Sequence, residues 1–121
     1  MTALGSLERA VMERLWAWDR PASVREVLDD LLQDRPLAYT TVMTVLDNLH
    51  RKGVVMREKH GRAYSYRAAR SLETWTADQL DDVLAGVGNR GGVLLKFVER
   101  MSPAEREHLR TLMNELDAPN S

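Results

Sequence analysis

The chain has 121 residues, 44% hydrophobic and 29% charged, with a formal net charge of −1 and no cysteine. Those totals describe one globular domain, or a compact unit with a small appendage, and they exclude disulfide scaffolds, zinc fingers and thiol catalysis. No apolar run approaches the roughly 18 residues needed to cross a bilayer, and MTALGSLERAVMERLW lacks the basic-then-apolar order of a secretory signal. The expectation is a cytoplasmic protein, not inserted in a membrane and held together by packing alone.

In chain order, a first helix is predicted from a cap at Ser6 to about Trp18. Leu7, Val11, Leu15 and Trp18 form its apolar stripe, widened by Met12 and Trp16. Asp19-Arg-Pro-Ala breaks it. Ser23 and Glu26 then make a capping box that opens a second helix of about ten residues. Its buried face is Val24, Val27, Leu28, Leu31 and Leu32, and Pro36 stops it from continuing.

A third helix is predicted over Tyr39–Lys52 and ended by Gly53, where a left-handed cap costs least. Val42, Val45, Leu46 and Leu49 recur at helical spacing on one side. The other side shows Thr40, Thr41, Thr44, Asp47, Asn48, Arg51 and Lys52, rather than the mixture of Glu, Lys and Arg usual on a solvated face. After it, Val54–Glu58 and Tyr64–Ala68 have strand composition, with Lys59-His60-Gly61-Arg62 as a polar turn. Three helices and a basic hairpin are the order of a winged helix-turn-helix.

The last part is helical in pattern. Thr76 and Gln79 are read as a cap opening a helix that carries Leu80, Val83, Leu84 and Val87. Gly86-Val-Gly-Asn-Arg-Gly-Gly92 interrupts it, a hinge rather than a phosphate cradle. Val93–Met101 follows with Leu94, Leu95 and Val98, and Ser102, Pro103 and Glu105 open a final helix bearing Leu109, Leu112, Met113 and Leu116. A segment this short, without disulfide or metal, rarely sustains a core of its own. Those apolar residues are therefore expected to form a dimer interface with the same segment of a second chain. The fold class is mainly α with a small β-hairpin: a DNA-binding domain over 1–70 and a helical dimerisation domain over 71–121.

Charge points the same way. Residues 1–34 carry four Arg against seven acids (−3), residues 35–70 eight Lys/Arg against Asp47 and Glu58 (+6), and residues 71–121 five Lys/Arg against nine acids (−4). The basic third coincides with the third helix and the hairpin, and phosphates respond to that local field. In a winged helix-turn-helix the third helix enters the major groove, and the hairpin reaches the backbone or the adjoining minor groove. Thr40, Thr41 and Thr44 let the helix approach closely, offering hydroxyls and methyls to phosphates and base edges. The Tyr39 hydroxyl can bond a phosphate, Asn48 an adenine edge, and Arg51 and Lys52 phosphates. Lys59, His60 and Arg62 cluster at the hairpin tip, with Arg57 and Arg67 behind.

Nothing groups an acid, a base and a nucleophile. His50, His60 and His108 lie in separate elements without a carboxylate at metal-ligand spacing, so no enzyme, metal site or cofactor is expected. Trp16, Trp18 and Trp75 are read as core or interface. The rival reading is a winged-helix module whose third helix meets an acidic protein.

With these residues in hand, the chain resembles the penicillinase/methicillin-resistance repressor (BlaI/MecI) family of winged-helix regulators along nearly its whole length. The likeness rests on Val11-Met12-x-x-x-Trp16, Ser23-x-x-Glu26-Val27, Tyr39-Thr40-Thr41-Val42-x-Thr44-x-Leu46-x-x-Leu49-x-x-Lys52-Gly53 and Tyr64-x-Tyr66. The resemblance implies a homodimeric transcriptional repressor that binds a palindromic double-stranded operator of TACA/TGTA type and controls β-lactamase and sensor genes. It implies derepression by a membrane sensor, acylated by a β-lactam, that triggers cleavage in the C-terminal half. The family is cut at an Asn-Phe pair; the matching place here is Lys96-Phe97, a departure that leaves room for a different inducing signal. A sister branch senses copper through C-terminal cysteines, which this chain lacks.

Overall fold

The computed structural model describes residues 4–119. Among them are, in chain order, α1 (Ser6–Trp18), β1 (Ala22–Ser23), α2 (Val24–Leu31), α3 (Tyr39–Arg51), β2 (Val55–His60), β3 (Ala63–Ala68), α4 (Leu72–Ala85), α5 (Arg90–Glu99) and α6 (Pro103–Asp117). They divide into two compact units, the first ending at Asp82 and the second beginning at Val83.

In the first unit α1, α2 and α3 close on a small sheet of order β1-β3-β2. Its core is Val11, Met12 and Leu15 from α1, Val27, Leu28 and Leu31 from α2, Val42, Leu46 and Leu49 from α3, and Val54, Val55 and Tyr66 from the sheet end. Each fully buried aliphatic side chain contributes about 1.5–3 kcal/mol relative to exposure, so this cluster carries the fold. Arg14 joins α1 to α2 by donating to Asp30 at 2.8 Å and to Asp34 at 2.7 Å.

The local signals of the sequence account for most boundaries. Ser23 Oγ accepts from the Glu26 amide while the Ser23 amide donates to the Glu26 carboxylate, both at 3.1 Å, so the capping box forms as read. The Asp19 amide donates to the Leu15 carbonyl at 3.1 Å with Asp19 left-handed at φ 49°, a conformation Asp adopts more readily than most residues. Gly53 ends α3 at φ 77°.

Several boundaries differ. Ser6 is the first helical residue of α1, not its cap; the cap is Gly5, whose amide donates to Glu8 at 3.0 Å. Leu32 is exposed, because α2 ends at Leu31 and the chain turns there toward Pro36. The hairpin turn is only Gly61-Arg62, since Lys59 and His60 pair in β2; a positive φ at Gly61 (65°) suits a two-residue turn. β1 was not expected: Ala22 and Ser23 pair with Tyr66 and Ser65. Two residues are too few to show any alternation. Thr76 is not a cap. Ser71 Oγ accepts from the Thr74 amide at 3.1 Å, and Thr76 Oγ1 donates to the Leu72 carbonyl within α4 at 2.7 Å.

In the second unit Asn89 Oδ1 accepts from the Gly92 amide at 2.9 Å, so Arg90-Gly91-Gly92 form the first turn of α5 instead of a hinge. Ser102 and Glu105 make the reciprocal cap of α6, with Pro103 at the first helical position. None of the described residues of α4, α5 or α6 is buried.

Candidate nucleic-acid interface

The candidate face is built by α3. Burial of Val42, Leu46 and Leu49 turns the opposite side of the helix outward, and Thr40, Thr44, Asn48 and Arg51 run along it at spacings of three and four. Thr40, Thr41 and Thr44 are exposed and Asn48 half-buried. This face comes directly from the helical period, which is why spacing alone located it. Tyr39 lies at the helix start with the Arg25 guanidinium 5.2 Å from its ring centre. Arg25 belongs to α2 and is itself exposed, so no spacing within one element could have brought it to this edge. Met43 is a further exposed residue of α3, apolar beside the hydroxyls.

The cations expected on this face are distributed differently. Lys52 turns back to α1, its Nζ lying 2.8 and 2.9 Å from the two Glu8 carboxylate oxygens. Burial raises the Glu8 pKa, but the Lys52 and Gly5 hydrogen bonds outweigh it and hold the carboxyl below its ordinary value. Arg51 donates to Asp47 Oδ2 at 2.6 Å and Arg57 to Asp47 Oδ1 at 3.1 Å, so one carboxylate engages two guanidiniums. The Arg51 hydrogen bond is the leading cause that lowers the Asp47 pKa.

The wing supplies the rest. In the β2–β3 register Arg57 faces Tyr66 and Lys59 faces Tyr64. Arg57 lies 4.2 Å from the Tyr64 ring centre, a cation–π contact that holds it against the sheet rather than free for a ligand. Hydrogen bonding to Tyr66 is the leading cause that raises its pKa. Lys59, His60, Arg62 and Arg67 are exposed. The structure thus gathers Tyr39, the threonines, Asn48 and Arg51 on one helix and Lys59 and Arg62 on the wing, and it directs Lys52 away to Glu8.

The tryptophans belong to packing. Trp16 and Trp75 lie against the core, with ring centres 5.5 Å apart and Arg9 within 5.5 Å of both. Trp16 Nε1 donates to the Arg70 carbonyl at 3.1 Å. Among the described residues no group of His, Asp or Glu is arranged to hold a metal ion, and no helix is long and apolar enough to cross a membrane.

Of the residues expected at a dimer interface, Leu80, Val83, Val87, Leu94, Leu95, Leu112, Met113 and Leu116 are exposed, Leu116 to 84%, while Leu84, Val98 and Leu109 are half-buried. Lys96 and Phe97 are both exposed on α5.

The sequence pattern of the penicillinase repressor family matches residues 4–115. The transcriptional regulator BlaI of Mycobacterium tuberculosis is 41% identical over 121 residues, covering 98% of this chain and 88% of its own. The methicillin resistance regulatory protein MecI of Mammaliicoccus sciuri is 24% identical over 115 residues, covering 92% of this chain and 93% of its own. In fold, the chain is similar to the solution structure of monomeric Bacillus licheniformis BlaI in complex with the blaP half-operator. The TM-score is 0.50 at 24% identity, over 60% of this chain and 87% of that one. The chain belongs to the penicillinase repressor family, a family of winged-helix transcriptional regulators.

Proposed function

We propose that the protein is a homodimeric transcriptional repressor that reads a palindromic operator of TACA/TGTA type. The observation that carries the reading is the outward face of α3, where Thr40, Thr44 and Asn48 stand exposed or half-exposed in a family of transcriptional regulators. Short hydroxyl side chains let a helix approach base edges, and Tyr39, Arg51, Lys59 and Arg62 stand where phosphates would flank it. Lys52 acts from behind, tying the end of α3 to α1 through Glu8.

Residues 1–70 are the DNA-reading part of this proposal and residues 71–121, beginning with α4, the dimerising part. Support for a second copy is the apolar face of α4, α5 and α6, which the described residues of the chain itself leave uncovered. Two half-site contacts on one dimer act at high effective concentration, so separating the subunits weakens binding by ~10²–10⁴-fold without altering a DNA contact. Cleavage at Lys96-Phe97 by a sensor-protease system is the proposed derepression step, and β-lactamase genes are the proposed targets. Such a protein works in the cytoplasm.

The test is a titration of the full chain with a duplex carrying inverted TACA/TGTA half-sites and with mixed-sequence duplex of equal length. The operator duplex binds more tightly, and binding to both falls steeply with salt. Thr44→Ala reduces the discrimination, whereas Arg51→Ala weakens both about equally. A chain that retards neither duplex at low salt is instead a module for an acidic protein partner.

A further inference from the structure

We infer that Asp47 limits affinity for DNA: it is a carboxylate set into the basic reading surface that weakens phosphate binding by Arg51 whatever the sequence. The inference rests on the DNA-binding reading above. Asp47 is the acidic residue of α3, and it stands one helical turn from Thr44 and from Arg51, beside the groove-facing stripe. Its two oxygens are divided between Arg51 and Arg57, at 2.6 and 3.1 Å. The two guanidiniums differ in freedom. Arg57 lies 4.2 Å from the centre of the Tyr64 ring, so its direction is set by the wing. Arg51 is 72% exposed and held by Asp47 through a contact within its own helix.

A phosphate that takes Arg51 must therefore compete with a carboxylate already bonded to it, and must approach that carboxylate's charge. On mixed-sequence DNA nearly all the attraction comes from phosphates, so both effects act on the whole of it. On a matched site the threonine and Asn48 contacts to base edges add attraction that does not pass through Arg51. The Arg51 contact to phosphate is common to both kinds of site, so Asp47 weakens both by a similar factor and leaves their ratio largely intact. Arg57, braced by Tyr64, keeps Asp47 in place when Arg51 leaves.

The experiment compares the full-length wild type with Asp47→Asn and Asp47→Ala on mixed-sequence duplex and on the inverted TACA/TGTA duplex across a salt series. Glu58→Gln serves as a control that removes the same charge from the wing. Circular dichroism and melting midpoints check that each variant is folded. Both Asp47 variants are expected to tighten mixed-sequence binding about tenfold at low salt, with a salt slope steeper by about one phosphate contact. Operator affinity is expected to tighten by a similar factor, so the ratio between the duplexes changes less than threefold.

Unchanged or weaker mixed-sequence binding by the folded variants overturns the inference. So does an equal effect of Glu58→Gln, which would reduce it to net charge. A loss confined to the operator also overturns it, since that would make Asp47 a base-reading acceptor. The wild-type arm is separate: failure to bind either duplex sinks the DNA-binding reading itself.

Discussion

The indole rings of Trp16 and Trp75 lie 5.5 Å apart and tilted at 49°, joining the first helix of the chain to the fourth. This contact fastens the opening turns of α4 to the winged helix. Aromatic pairs contribute about 0.5–1.5 kcal/mol beyond their buried area. Trp75→Ala is expected to lower the urea-unfolding free energy by about 1–3 kcal/mol. It should also raise amide exchange in the first turns of α4, with α2 and α3 little changed. Equal loosening of all helices would assign Trp75 to the core as a whole.

The same contact decides where the chain can be shortened. Ending it near Ala69 removes Trp75 and leaves Trp16 uncovered, whereas ending it after Asp82 keeps both rings. The longer truncation is expected to fold, to run as a monomer in sedimentation, and to bind the TACA/TGTA duplex ~10²–10⁴-fold more weakly than the full chain at equal salt. Undiminished affinity would refute the linkage of two half-sites.

Charging the apolar face tests dimerisation without deleting anything. Leu116 is 84% exposed, so Leu116→Glu costs the isolated subunit almost nothing. In a dimer it would place a charge in the interface. The expected result is a shift to monomer by sedimentation equilibrium with the melting of the winged helix retained. A variant that dimerises like wild type would place the contact elsewhere on α4, α5 or α6.

Acid sensitivity follows from Glu8, Glu26 and Asp47, all held below their ordinary pKa in the folded chain. A carboxyl with a depressed folded pKa stabilises fully above its unfolded value, and that stabilisation disappears as pH falls through the folded value. The melting midpoint is therefore expected to be level down to about pH 5 and to drop below about pH 4. Glu8→Gln should flatten part of that drop and lower the plateau, because it loses Lys52. A midpoint that rises on acidification would contradict the sign.

The hairpin tip provides a backbone test. A side chain at Gly61 would meet no atom within 4 Å, so the cost of Gly61→Ala is conformational alone, from φ 65°. A loss of about 1 kcal/mol is expected, with Gly61→Asn losing less. Chemical denaturation of both variants measures it.

Much of this was legible along the chain. Helical spacing picked out Val42, Leu46 and Leu49 as buried and Thr40 and Thr44 as outward, and the two capping boxes formed where Ser23 and Ser102 stand. Those features depend on residues three or four apart, whose relation is set by the helix itself. Thr76 is no cap because α4 starts earlier, at Leu72, where Ser71 accepts from the Thr74 amide, and pattern alone does not rank the two candidates. Leu32 is exposed because α2 ends at Leu31, and the period says nothing of where a helix stops.

The order of the helices and the hairpin, most of the core stripes and the band of positive charge thus follow from composition and period, but β1 and the exposure of Leu32 do not. Which side chains meet across elements does not: Glu8 with Lys52, Asp47 with Arg57, and the rings of Trp16 and Trp75 join residues from different elements. Such partners are chosen when the buried faces close on one another, and only then do two side chains distant in the chain come within reach.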